Sequence, residues 1–217
     1  MNKKLSISEK IRAGETIVNN LLEFSDIRVF VEPFGYTTEK LGECKTIIDS
    51  VKELDLKQKK EYGEQYAATQ NVEKEWAEAN KEYSMMLKLA RLVFKKDPQA
   101  DNALELNGRR KQSLTGWIGQ ASSFYNNLLA YDELKSKLTR FGITDEKLTA
   151  GKTLVDDLVK ATEIQSKEIG DAQAATKVRD AKIDEMDDML EELEVVVRIA
   201  LEDQPQWLEK LGIFEKS

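Results

Sequence analysis

The sequence predicts an all-α protein built as a tandem duplication of a three-helix antiparallel unit. Charged residues make up 34% of its 217 residues, with 11 glycines and three prolines, a composition typical of long amphipathic helices. No proline interrupts the chain between Thr38 and Asp97, which leaves room for extended helix. The chain also matches itself at a fixed offset of 107 residues, which indicates a repeated unit.

The internal match runs without a gap from Ile11–Gln99 to Ile118–Gln206, with about 25 identities over about 89 positions. Its longest shared phrase is FGYTTEKLGECKTIIDSV, which begins at Phe34, and FGITDEKLTAGKTLVDDL, which begins at Phe141. A period of this length identifies a repeated supersecondary unit. We therefore expect one repeat at residues 1–106 and a second at 107–217, giving a bundle of six long helices.

The first helix of the first repeat is predicted to begin at Ser6 or Ser8, which are good N-caps. Pro33 disfavours helix at Glu32, and Gly35 allows the chain to turn. The apolar residues of this helix recur at spacings of three and four, as one helical face requires: Ile11, Ile17, Val18, Leu21, Leu22, Ile27 and Val31.

The repeated Phe-Gly phrase is expected to form the joint to the next helix. Phe34 and Phe141 are predicted to fill the turn with their rings. Thr37 or Thr38 caps the following helix in the first repeat, and Thr144 does so in the second.

The long stretch after this joint has two interpretations. A single helix from Thr38 to Asp97 would extend about 90 Å. Gly63 and Gly170 are each followed by an acidic residue, a pattern typical of a helix end and a tight turn, so we expect a break there and three helices per repeat. The alternative is two very long helices, unbroken at Gly63 and Gly170, whose exposed stripe a second chain would cover.

Two connectors follow the long stretches. The segment from Asp97 to Gln112 carries Pro98 and Gly108 and marks the boundary between the repeats. The segment after Pro205 is predicted to form a short helix that ends at Gly212. Its apolar residues are expected to pack back on the bundle: Trp207, Leu208, Leu211 and Ile213.

Composition excludes several classes of function. The chain has no histidine, the commonest general base and transition-metal ligand. Its net charge of -7 disfavours nucleic acids and anionic membranes, which bind through basic residues. No apolar run reaches the length of a membrane span. No secretory leader is readable either, so the cytoplasm is the default location, although a cleaved leader would leave the same sequence.

Three motifs suggest chemistry and are better explained by helical structure. Gly151-Lys152-Thr153 ends like a phosphate-binding loop but lacks its earlier glycine, since Glu146 holds that position. The acidic stretch Asp180–Glu194 lacks the histidines of a di-metal bundle, and its apolar residues are predicted to face inward. The cluster Gly108–Ser113 is expected to complement acidic surface.

Cys44, the only cysteine, is expected to be a packed thiol. We therefore predict no catalytic residue, no cofactor and no metal site.

Six polar residues are candidates for a pocket between helices. Two adjacent asparagines occur in each repeat, and one threonine recurs beside paired alanines: Asn19, Asn20, Asn126, Asn127, Thr69 and Thr176. Asparagine gains nothing from helix propensity in mid-helix. We expect these groups to set helix register through hydrogen bonds, with a polar pocket as the alternative. The three tryptophans are expected to be core residues or wedges between the repeats.

These observations lead to a hypothesis of a non-enzymatic helical interaction or scaffold protein. Its expected partners are other proteins or further copies of itself. The alternative function is a small-ligand-binding protein or enzyme that uses a groove between the two repeats. A membrane or nucleic-acid partner is not expected.

Overall fold

The structure is a computed structural model that describes residues 5–213, so the outermost residues of the two predicted repeats, 1–4 and 214–217, lie outside it. The described residues form helices and no strand. In chain order the helices are α1 (Ile7–Glu23), α2 (Ser25–Val31), a 3-10 turn (Glu32–Phe34), α3 (Thr38–Val93), α4 (Pro98–Ala103), α5 (Leu114–Ala130), α6 (Asp132–Thr139), α7 (Asp145–Ala200) and α8 (Gln206–Lys210). The all-helical fold class is confirmed.

The expected breaks at Gly63 and Gly170 are wrong. Both glycines lie inside uninterrupted helices of 56 residues, α3 and α7, each about 84 Å long at 1.5 Å per residue. A glycine in a helix costs about 1 kcal/mol relative to alanine, which is too little to end a helix without a proline or a left-handed residue. Neither glycine has a positive φ. The alternative of two unbroken helices is the one observed.

The chain forms two compact units, and each takes residues from both predicted repeats. Unit 1 comprises the described parts of Met1–Tyr62 and Asp171–Ser217, and unit 2 comprises Gly63–Gly170. Each long helix therefore contributes one part to each unit. The predicted repeat boundary between residues 106 and 107 lies inside unit 2.

The core of unit 1 joins the first helices of the chain to its last ones. Val18, Leu21 and Ile27 are fully buried, and they belong to the same cluster as Leu193 and Val197 of α7. The short helix α8 closes this core. Its predicted apolar residues Leu208, Leu211 and Ile213 are buried, and Trp207 is half-buried against the cluster.

The core of unit 2 is richer in aromatic residues. Tyr83 of α3 and Phe124 and Tyr125 of α5 are fully buried, and Trp117 is nearly so. The rings meet edge to face, with centroids 5.3 Å apart for Tyr83 and Phe124 and 5.5 Å apart for Tyr83 and Trp117, the geometry that ring quadrupoles favour.

The turn before α3 differs in detail from its prediction. At the start of α1, Ser6 forms a capping box with Glu9. In the turn before α3, Gly35 has a φ of 93°, as the turn requires. The ring of Phe34 is 50% exposed and does not fill this turn. Tyr36, two residues later, is buried in its place, and its hydroxyl donates to Glu192.

The corresponding turn before α7 shows the same difference. Gly142 has a φ of 73°. Phe141 is 39% exposed, and Ile143 is buried.

The first predicted helix is interrupted, because Phe24 takes an extended conformation between α1 and α2. Tyr131 takes the same conformation between α5 and α6. No described helix contains an 18-residue stretch apolar enough to cross a bilayer.

Charge is distributed unequally between the units. The two segments of unit 1 carry 17 basic and 24 acidic residues, whereas unit 2 carries 16 of each. The net charge of -7 therefore belongs to unit 1.

Two glycines of α7 allow a matched test of the helix. A Cβ at Gly170 meets nothing within 4 Å, whereas a Cβ at Gly151 would lie 2.5 Å from the buried ring of Tyr125. Gly170→Ala should stabilise the protein by about 1 kcal/mol because alanine favours helix, which raises the melting temperature by about 2–4 °C.

Gly151→Ala should lower the melting temperature, because overpacking a core costs about 1–3 kcal/mol and outweighs the gain in propensity. Thermal unfolding followed by circular dichroism measures both variants. Destabilisation by Gly170→Ala would show that the helix does not continue through residue 170.

Candidate functional site

Two of the six predicted polar residues hold short helices in place. Asn20 Nδ2 donates to the carbonyl oxygen of Lys210 at 2.6 Å, at the end of α8. Asn127 Nδ2 donates to the carbonyl oxygen of Ala103 at 2.6 Å, at the end of α4. The last carbonyls of a helix have no partner within the helix, so each amide satisfies one of them. The same bond is thus made once in each unit.

Their neighbours behave differently. Asn19 and Asn126 are exposed and make no hydrogen bond with a described residue. Each asparagine pair therefore contains one residue that contacts another helix and one that faces solvent.

The two threonines lie within the long helices. Thr69 donates to the Gln65 carbonyl at 3.0 Å and accepts from Gln165 Nε2 at 3.2 Å, a contact between α3 and α7 within unit 2. Thr176 donates to the Ala172 carbonyl at 2.9 Å.

Thr176 also lines a shallow hollow of about 530 Å³ on unit 1, with Tyr62, Asp180 and Asp184 among its neighbours. No other predicted polar residue lines it, so the six are not gathered around a common space there.

A polar cluster in unit 2 was not predicted. Asn80 Oδ1 accepts from Trp117 Nε1 at 3.2 Å and from Arg110 Nη1 at 3.0 Å. Arg110 also donates to Ser84 Oγ at 2.6 Å. The basic Gly108–Ser113 cluster was expected to complement an acidic surface such as the acidic helix. That prediction is wrong for Arg110, which instead binds neutral oxygens in unit 2.

The equivalent positions in unit 1 carry an ion pair. Lys10 Nζ contacts Asp187 Oδ2. Lys10 lies 107 positions before Trp117, and Asp187 lies 107 positions after Asn80. Lysine pairs with aspartate in unit 1 where tryptophan bonds to asparagine in unit 2. The sequence contains these matched substitutions, but it does not show which segments contact each other.

Two buried hydroxyls lie among the aromatic rings of unit 2. The hydroxyls of Tyr83 and Tyr125 make no hydrogen bond with a described residue. Burial raises the pKa of Tyr83 to about 12, and burial also raises the pKa of Tyr125. Burial therefore favours the neutral form of both phenols.

The Gly-Lys-Thr motif is helical, as predicted. Gly151 lies in α7 beneath the Tyr125 ring. Lys152 pairs with Asp156 at 2.7 Å, and Thr153 donates to the Thr149 carbonyl at 3.0 Å. A phosphate cradle needs successive free backbone N–H groups, and here the helix uses them.

The remaining sequence candidates also have structural roles. Ile183, Met186 and Leu193 of the acidic stretch are buried, so its apolar face points inward as predicted. Cys44 is 1% exposed, and burial raises the pKa of its thiol, so the neutral form is favoured.

The tryptophans differ among themselves. Trp117 lies in the core, and Trp207 packs edge to face on Phe30, with ring centroids 5.3 Å apart. Trp76 is 41% exposed, so it is not a core residue, and of its two predicted roles only that of a wedge between the repeats stays a prediction.

No family model matches the chain, and neither a curated protein nor a solved structure matches it significantly. The interpretation of these sites therefore depends on their geometry.

The adjacent asparagines provide a test of the helix-end contact. Asn127→Ala removes the bond to Ala103, and Asn126→Ala makes the same change of helix propensity on the solvent side. The difference between the two variants should be about 1 kcal/mol, the net value of a hydrogen bond, with Asn127→Ala the less stable. Urea unfolding measures it. Equal stabilities would mean that the amide does not hold α4 in place.

Proposed function

We propose that the protein is a non-enzymatic helical interaction or scaffold protein, and that its chain arose by tandem duplication of a 107-residue unit. The observation that carries the functional proposal is a pair of exposed apolar side chains on the outer helix face of each unit. Met85 and Leu92 of α3 are 46% and 63% exposed, and Val195 and Ile199 of α7 are 52% and 56% exposed.

These side chains are not scattered singly, as surface apolar residues commonly are. Val195 and Ile199 are four residues apart, and Met85 and Leu92 are seven apart, so each pair lies on one helical face. The offset of 107 relates residue 85 to residue 192, residue 88 to residue 195, and residue 92 to residue 199. Two related faces with exposed apolar groups favour contact with another macromolecule.

The duplication is supported by contacts that recur at equivalent positions. Asn20 contacts Lys210 as Asn127 contacts Ala103. In both cases a residue of one proposed copy contacts a residue of the other. On this proposal each compact unit combines the first part of one copy with the last part of the other, so the copies have exchanged parts.

Cleavage of the loop between the copies tests this exchange. A protease site inserted between Gly108 and Arg109 lies in an exposed segment without helix. After cleavage the two fragments should elute together in gel filtration and separate only on denaturation, because each core needs both. Elution as two independently folded, fully helical fragments would contradict the exchange.

A ligand that bound to an active site or a binding pocket would raise the stability of the folded protein. A ligand that binds the folded state at 100 times its Kd stabilises it by about 2.7 kcal/mol. Screening the melting temperature of the full chain against metabolites and divalent metals should give no saturable shift above about 1 °C, which for a chain of this size is well below 1 kcal/mol.

A specific, saturable shift of several degrees would overturn the non-enzymatic proposal. It would favour the small-ligand or enzyme alternative. Proteins, including further copies of the chain, are the proposed partners, and the net charge of -7 disfavours nucleic acids and anionic membranes.

A further inference from the structure

One face of unit 1 is acidic around an apolar centre. Asp188, Glu192, Val195 and Ile199 follow one another along α7 at spacings of three and four, and Glu202 lies in the turn just after the helix. All five residues are exposed. We call this set the acidic face.

The equivalent face of unit 2 is basic around a similar apolar centre. Lys81, Met85, Lys88 and Leu92 follow one another along α3, and Lys95 lies in the turn just after that helix. These five residues are also exposed, and each lies 107 positions before its counterpart. We call this set the basic face.

Five of the six charges on the two faces form no ion pair or hydrogen bond with a described residue, Glu192 being the exception. Asp188 and Glu202 form no ion pair with a described residue, and neither do Lys81, Lys88 and Lys95. Glu192 accepts a hydrogen bond from the Tyr36 hydroxyl at 3.0 Å and interacts at longer range with Lys40, whose pKa it helps to raise. Other charges of the long helices do form ion pairs with residues three or four positions away, such as Lys182 with Glu185 at 2.6 Å.

We propose that the acidic face of one molecule docks against the basic face of a second copy of this chain. The proposal names the partner for the interaction role proposed above and rests on that role. Carboxylates at positions 188 and 202 oppose ammonium groups at positions 81 and 95. Between them, Val195 and Ile199 meet Met85 and Leu92, whose burial supplies the favourable hydrophobic free energy.

Charge complementarity selects a second copy as the occupant. The two faces have the same spacing because they occupy equivalent positions, and their charges are opposite. Pairing two acidic faces, or two basic faces, would place like charges together, which suppresses such contacts. The chain itself therefore supplies the surface that fits each face.

Such an interface is heterologous, since it joins two different surfaces. Each added molecule leaves one acidic and one basic face unoccupied at the ends of the assembly. Assemblies of this type grow until they close into rings, of which a reciprocal dimer is the smallest, or continue as open chains, so the average mass is expected to rise with concentration.

Charge-reversal variants at equivalent positions test whether the acidic face binds the basic face. One variant carries Asp188→Lys with Glu202→Lys, and the other carries Lys81→Glu with Lys95→Glu. Each has two faces of the same sign, so each alone should lose self-association. An equimolar mixture should restore it, because every acidic face then has a basic counterpart. A chain with all four substitutions should also self-associate.

Light scattering and sedimentation equilibrium measure the assembly from about 10 µM to about 1 mM, a range suited to small, transient interfaces. The unaltered chain should increase its weight-average mass at least about twofold at low salt. The increase should shrink at 1 M NaCl, where the Debye length is about 3 Å. Glu53→Lys and Lys147→Glu reverse exposed charges away from both faces and should leave assembly unchanged.

Three results would overturn this proposal. The unaltered chain could remain a monomer over the whole range, the two variants could assemble as it does, or their mixture could fail to restore assembly. Unchanged melting temperatures of the variants exclude misfolding as the cause of a loss. A failure here with no ligand found in the thermal screen would leave the interaction role with a different partner, so the two proposals fail separately.

Discussion

The fold depends on cores that neither end of the sequence can complete alone. In unit 1 the apolar face of α1, with Val18 and Leu21, is covered by the last part of α7, with Leu193 and Val197. Unit 2 draws in the same way on the last part of α3 and on α5. Each long helix therefore contributes residues to both cores. Gly63 and Gly170 lie within these helices despite their low helix propensity.

The features that local chemistry determines could be predicted from the sequence. Ser6 caps the first helix because its side chain satisfies a backbone N–H. Gly35, Gly142 and Gly212 each take a positive φ, which residues with a Cβ rarely adopt. The inward face of the acidic stretch also follows from its helical periodicity. These predictions depend on residues close together in sequence, and the structure confirms them.

The features that distant contacts determine could not be predicted in this way. The glycine-acid pairs at residues 63 and 170 resemble helix ends, but the cost of a glycine alone is too small to end a helix, and the helices continue through both positions. Phe34 and Tyr36 are both aromatic and two residues apart, and the side chains of such neighbours point in different directions. Which ring would be buried depended on α7, through Glu192. The polar cluster around Asn80 likewise joins segments about 30 residues apart.

The Lys10–Asp187 and Trp117–Asn80 contacts distinguish the observed pairing of helices from its alternative. If residues 5–106 closed on themselves in the same arrangement, the Lys10 ammonium would meet the neutral amide of Asn80 in place of a carboxylate. Asp187 would likewise meet the indole of Trp117 in place of an ammonium. The alternative pairing forfeits the ion pair, so the unlike residues at these positions favour the pairing observed.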